Sequence, residues 1–300
     1  MSLFNKTILA FAAVYFIWGS TYLAIRFTIE TLPPFLSGGL RFFLAGLILF
    51  VFSLIKDKTL AVTVQHWRSA LIVGGFLLLG GNGSVVWAEK YVPSGLAALI
   101  VATTPFWMVL LNWLWKKGAK PSMGVMLGMA IGFLGVGILI LPDLRVGSYS
   151  PHLGGILALL FASFSWSIGS VYARTAKLPG SPFLSTGMQM MAGGFLLILW
   201  GCVHGEFLMI HPAAFSIKSI MAFIYLLFIG SLVGFTAYIW LLKNVGVTKA
   251  STYAFVNPVI AVFLGCLLAN EQLNAHLVLA ASLIIVSVVI ITLYHREVKI

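Results

Sequence analysis

The feature that most constrains this chain is a succession of ten apolar runs, each near 20 residues, separated by short polar connections. They fall at about 7–27, 33–55, 68–90, 93–115, 121–141, 152–173, 182–204, 217–241, 247–269 and 274–294. A hydrocarbon core about 30 Å thick is crossed by about 20 residues of α-helix, whereas a membrane strand needs about 10 and alternates in polarity. In lipid each backbone polar group must pair internally, so runs of this length without alternation predict helices. Composition agrees: 61% of the residues are hydrophobic and 8% charged, against about a quarter charged in a soluble domain. The expectation is an all-α integral membrane protein of ten transmembrane helices. No connection is long enough to hold a soluble domain. The first run is too long for a signal-peptide core and lacks a clear small-residue cleavage pattern, so it reads as a retained first helix.

Charge placement predicts orientation. A formal charge of +11 could point to nucleic acid, but the basic residues sit in clusters between apolar runs rather than on one face. With both termini on one side, that side receives 13 of the 18 basic residues and only Asp57 and Glu297 among the acids. By the positive-inside bias both termini are expected in the cytoplasm. Cys202 and Cys266 both lie in apolar runs and read as small embedded hydrophobes rather than a disulfide.

The chain also repeats itself. A shift of 148 places Trp18 on Trp166, Arg26 on Arg174 and Pro34-Phe35-Leu36-Ser37 on Pro182-Phe183-Leu184-Ser185. A shift of 153 places Trp87 on Trp240, Lys90 on Lys243 and Pro105 on Pro258. Residues 1–145 and 146–300 are therefore expected as two repeats of five spans. Five is odd, so equivalent spans cross in opposite directions, an inverted repeat around a central cavity.

Several polar or aromatic residues stand where hydrocarbon is expected. Pro105 and Pro258 lie ~17 Å inside spans four and nine, close to the bilayer centre. Each follows a polar residue, Thr104 or Asn257. A lone proline is usually a tolerated kink; two at equivalent places read as helix breaks at a binding site. Trp18 and Trp166 are also near mid-span, whereas Trp normally marks the interface. Packing would account for them; the functional reading is an aromatic wall joined by Trp87, Trp107, Tyr238 and Tyr253. Asn82, in Gly80-Gly81-Asn82-Gly83-Ser84, needs a hydrogen-bond partner and is expected to face the cavity, while its glycines favour close helix packing. Arg41 and Glu89 are ionisable groups at membrane depth. They are expected to pair, and Glu89 is the candidate for proton coupling because burial raises a carboxylate's pKa. The stripe Gly124, Gly128, Gly132 and Gly135 reads as a helix-packing or dimer face.

Catalytic and metal sets are missing from the sequence. It holds no His-Glu-x-x-His, no Gly-x-Ser-x-Gly and no paired Asp for intramembrane proteolysis, and its six histidines lack metal-ligand spacing. No enzyme activity, metal or cofactor is expected, and without an ATP-binding segment any active transport is secondary.

Taken in order, these strings resemble the EamA-type permeases of the drug/metabolite transporter superfamily. The likeness is carried by Ile17-Trp18-Gly19-Ser20-Thr21-Tyr22 with Arg26, and by Pro33-Pro34 with Gly39, Arg41 and Phe42. It continues through Gly81-Asn82-Gly83, Ala88-Glu89 and Val92-Pro93-Ser94-Gly95. Ser165-Trp166 with Gly169-Ser170, and Ser251-Thr252-Tyr253 with Asn257-Pro258, Gly265 and Glu271, complete it. The resemblance implies two inverted five-helix repeats, cytoplasmic termini, a central cavity and movement of small metabolites, often export of amino acids or related compounds. It places Trp18, Asn82, Trp107, Trp166, Tyr253 and Asn257 at the cavity. Val86 and Trp87 depart from the family pattern, so the pocket shape is expected to be this protein's own. The reading is a secondary carrier in the cell inner membrane, exporting a small organic solute by alternating access, with H+ as the candidate coupling ion. Monomer and homodimer both remain open. The rival is a non-transporting membrane scaffold or regulatory subunit.

Overall fold

The computed structural model describes residues 3–56, 62–116, 120–145, 151–271 and 275–294. Every regular element among them is helical. The helices form ten rods. α1 joins Leu3–Ala12, a π-helical stretch Ala13–Ile17 and Trp18–Thr28. α2 is Pro34–Lys56. α3 is Val64–Ala88, π-helical over Gly75–Gly83. α4 comprises Ser94–Val101 and Thr104–Lys116, α5 is Met123–Arg145, α6 is Pro151–Ala173 and α7 is Pro182–Val203. α8 is Ile217–Asn244, π-helical over Leu226–Phe235. α9 comprises Val247–Ala250 and Tyr253–Ala269, and α10 is Ala275–Tyr294.

Among the described residues, seven rods are long and apolar enough to cross a membrane: α1 to α4 and α6 to α8. α5, α9 and α10 carry shorter apolar stretches, Met123–Ile138, Val256–Ala269 and Ala275–Ile291.

The rods pair in a reciprocal pattern. α2 packs along α7, α5 along α10 and α4 against α9. α3 packs on α6 and α8 on α1; α4 also meets α6, and α9 meets α1. Moving five rods along the chain converts each pairing into another pairing of the set. Glycines set the closest crossing. A methyl carbon on Gly46 would lie 2.7 Å from the Gly187 carbonyl oxygen, and one on Gly194 would lie 2.7 Å from that of Gly39. Any side chain there would force α2 and α7 apart, so the absence of one lets backbone meet backbone. Gly39 and Gly187, like Gly46 and Gly194, are 148 residues apart, the first offset of the repeat. The α5 glycine stripe faces α10: a methyl on Gly128 would meet Ile291 and one on Gly135 would meet Ile284. Its partner is a helix of the same chain.

Two acids from the second half close helix starts in the first. Glu206 Oε1 accepts from Phe35 N at 3.2 Å and Oε2 from Leu36 N at 2.8 Å, at the start of α2. Glu271 accepts from Ser94 N, Ser94 Oγ and Gly95 N at 2.8, 2.7 and 3.1 Å, at the start of α4. Both carboxylates satisfy N–H groups that lack an intrahelical partner and lie at the positive end of the helix dipole.

The interruptions of α4 and α9 correct one expectation. The α9 helix runs through Pro258; its interruption is at Ser251-Thr252, six residues earlier. The α4 interruption is at Ala102-Thr103, and Pro105 sits in the first turn of the helix that follows, where its missing N–H costs nothing. Hydroxyls explain both positions. Thr103 Oγ1 donates to Ile100 O at 2.8 Å, Thr104 Oγ1 to Val101 O at 2.6 Å and Thr252 Oγ1 to Lys249 O at 2.7 Å. Short polar side chains that bind backbone carbonyls three residues back compete with the helix ladder.

A central cavity between the two halves

A cavity of about 70 Å³ lies where seven rods meet, lined from α1, α2, α3 and α4 of the first half and α6, α8 and α9 of the second. That is room for roughly five waters, or a solute on the order of 150 Å³ by their liquid volume. The widened α3 and α8 form facing sides. Their π-helical stretches fall 151 to 152 residues apart, within two of the second offset of the repeat.

The aromatic wall is built by reciprocal seating. Trp166 of α6 lies over Gly81 of α3, and Trp18 of α1 lies over Gly234 of α8. A methyl on Gly81 would come 2.9 Å from the Trp166 ring, and one on Gly234 would come 2.5 Å from Trp18 Nε1. Only glycine leaves room for each indole. The two indoles meet edge to face, centroids 5.4 Å apart at 84°, an arrangement that places ring edges against ring faces. Tyr253 meets Trp18 the same way at 5.3 Å. Both indole N–H groups are occupied: Trp18 Nε1 donates to Gly230 O at 3.2 Å and Trp166 Nε1 to Tyr238 Oη at 2.9 Å. The Tyr238 hydroxyl is also 2.6 Å from Ser170 Oγ. The tryptophans therefore offer a solute ring surface, not a hydrogen-bond donor.

The polar lining comes from three helices. Arg41 is 3% exposed, and its Nη2 donates to Asn82 Oδ1 at 2.6 Å. Asn257, with its amide oriented so that nitrogen faces carbonyls, donates to Tyr15 O at 2.9 Å and Tyr253 O at 3.3 Å. The second contact is to a carbonyl one turn earlier in α9.

Trp18, Asn82, Trp166, Tyr253, Asn257 and Arg41 thus share one cavity. Tyr238 stands behind it, fully buried, bracing Trp166. Two tryptophans lie elsewhere. Trp107 packs between Phe164 and Phe133, at 5.2 and 6.1 Å, away from the cavity lining. Trp87 packs on Tyr91 and lines a separate apolar groove of about 810 Å³ with Phe35, Trp200 and His204. Helix rotation decides these cases: neither side chain is on the inward stripe of its rod. Glu89 is 3% exposed, but no ion pair joins it to Arg41, and no hydrogen bond reaches its carboxylate oxygens among the described residues. Arg41 pairs with Asn82 instead. Arg26, which is partly exposed, lies 3.7 Å from Glu271.

Sequence reasoning missed Tyr22, Phe42 and Phe235 in the lining. Phe235 stands at Asn82 plus 153, so the repeat offset carried that signal. Among the described residues no group of His, Cys, Asp and Glu could hold a metal ion.

Known proteins resemble this chain over most of its length. The description of the EamA-like transporter family matches residues 5–141 and again 153–293. The inner membrane transporter YedA of Escherichia coli strain K12 is 37% identical over 95% of this chain and 90% of its own. The transporter YoaV of Bacillus subtilis strain 168 is 27% identical over 93% of this chain and 94% of its own. A crystal structure superposes with a TM-score of 0.66 at 21% identity, covering 96% of this chain and 98% of the other, a likeness of fold.

Proposed function

The chain belongs to the EamA-like transporter family, and on that footing we propose that it is a ten-span secondary carrier that exports small organic metabolites, amino acids or related compounds among them, by alternating access. Its place is then a cell inner membrane, the location in the name of its YedA relative, with both termini cytoplasmic. One observation carries the reading: the cavity is enclosed by both halves, with an aromatic wall on one side and Arg41, Asn82 and Asn257 facing it. A rod that packs only for support has no need to bring polar groups into a void.

The reciprocal rod pairing and the glycines matched at 148 residues support two inverted repeats, residues 1–145 and 146–300. In such an arrangement the halves rock about the site between them. The interrupted α4 and α9 supply short helix pieces that reorient without breaking whole rods. Glu89 is the proton-coupling group in this reading: it is buried, and its carboxylate lacks hydrogen bonds that would fix it in one charge state.

Counterflow in proteoliposomes tests the carrier. Labelled amino acids on one side should exchange faster when unlabelled solute is present on the other. A scaffold gives no such trans-stimulation. For Glu89, the Glu89→Gln variant should lose the pH dependence of exchange; a profile unchanged from the parent removes the residue from coupling.

A further inference from the structure

We infer that the central cavity selects solutes bearing a carboxylate-type anion, with Arg41 as the residue that sets this preference; the inference rests on the carrier reading above. Of the groups lining the cavity, Arg41 is the one charged at neutral pH, and no acidic side chain lines it. A guanidinium presents five N–H donors and does not deprotonate in proteins. Here it makes one hydrogen bond to the protein, through Nη2 to Asn82, and its buried Nε has no partner. A buried charge left unpaired is costly and is expected to gain a partner. Asn82 holds the head group by an amide oxygen, which orients a guanidinium without neutralising it.

Glu89 could have been the resident counter-ion. It makes no ion pair with Arg41 and does not line the cavity. Glu89 still favours the charged guanidinium through space and the Phe42 ring lies 4.4 Å from it, so what is open to a solute is the set of N–H donors that Asn82 does not use. Opposite it stand ring surfaces, Trp18, Trp166 and Tyr253, whose indole donors are already used within the protein. A planar anionic head on the arginine and an apolar or aromatic body on the rings fit this division. Planar carboxylate matches the guanidinium fork in a bidentate way. A zwitterionic amino acid falls in the class by its carboxylate.

The test is direct binding to the purified full chain in chloride-free buffer, using three matched probes: phenylacetate, phenylacetamide and phenethylamine. Isothermal titration should show phenylacetate binding at least tenfold tighter than the neutral and cationic probes. Arg41→Gln should lose phenylacetate binding at least tenfold, and Arg41→Lys should fall between, keeping the charge but not the fork. Asn82→Asp retains the arginine and puts a carboxylate against Nη2, so a variant with the charge compensated should fold and still lose phenylacetate binding. Three results overturn the inference: no phenylacetate binding by the parent, amide or amine binding as tight as phenylacetate, or phenylacetate binding intact in either Arg41→Gln or Asn82→Asp. Counterflow of neutral or cationic solutes alone would sink it while leaving the carrier standing; absence of any counterflow sinks the carrier, and the binding comparison still decides the cavity's charge preference.

Discussion

Glu271 closes the start of α4 from 176 to 177 residues away, and removing it should destabilise the whole molecule. The carboxylate accepts two backbone N–H groups and the Ser94 hydroxyl. Glu271→Ala leaves Ser94 N and Gly95 N without acceptors; the hydroxyl can turn to another partner. Each unmet donor costs about 1–3 kcal/mol when buried, and the lower end applies where water can enter the gap left by the side chain. Loss of a negative charge at a helix N-terminus adds about 0.3–1 kcal/mol. Together these give about 3 kcal/mol. At roughly 2–4 °C per kcal/mol, as for chains of 150–250 residues, the apparent Tm should fall by at least about 6 °C. Glu271→Gln keeps one acceptor and turns the other into a donor facing an N–H, so it should lose about as much or slightly less. The assay is tryptophan fluorescence during heating of detergent-purified protein at one fixed scan rate, because such unfolding is often irreversible. The comparison is Glu30→Ala. Glu30 accepts from Lys218 Nζ at 2.7 Å with both side chains well exposed, a pair expected to contribute about 0–1 kcal/mol. If Glu271→Ala shifts the Tm no more than Glu30→Ala does, the cap does not stabilise α4 as argued.

Asn257→Ala should slow counterflow more than Thr104→Ala: Asn257 lines the cavity, while the Thr104 hydroxyl is spent on Val101 O. Equal losses in initial rate would remove that distinction. Gly187→Val should give little folded protein by size-exclusion chromatography, since even a methyl there lies 2.9 Å from Gly46 O and Phe50 N; Gly180→Ala, with open space around it, should behave as the parent. Tyr238→Phe leaves Trp166 Nε1 without its acceptor beside the cavity and should cost about 1 kcal/mol, the lower end for a donor that water can reach, read as a Tm shift that Ser170→Ala does not reproduce.

Much of this architecture can be read from residue order. Apolar run length predicts the rods, and the offsets of 148 and 153 anticipate the reciprocal pairing because matched residues must play matched parts. Trp18, Trp166, Asn82 and Asn257 stand out because each is too polar or too large for plain hydrocarbon depth. What stays hidden depends on rotation and on distance along the chain. Trp87 and Trp107 look like Trp18 in a list of residues, and only helix phase sends them elsewhere. Pro258 looks like a break, but α9 carries it inside the helix, and the interruption falls at Ser251-Thr252, where the Thr252 hydroxyl competes for a backbone carbonyl. Glu206 opens a short 3₁₀ turn and Glu271 follows α9 in the family string, yet no local motif gives either acid its distant partner. Their signal is indirect: the starts of α2 and α4 carry prolines and no side-chain cap of their own, so an acceptor had to come from elsewhere.

Those two long-range caps also set an order of events during synthesis. Phe35 leaves the ribosome 171 residues before Glu206 does. At 5–20 residues per second that interval is roughly 9–34 s. Through it α2 waits without its carboxylate, and α4 waits a similar time for Glu271. The starts of α2 and α4 thus become chemically complete only when the loops after α7 and α9 arrive. A truncated chain ending before residue 206 lacks both acids and leaves the starts of α2 and α4 without these acceptors.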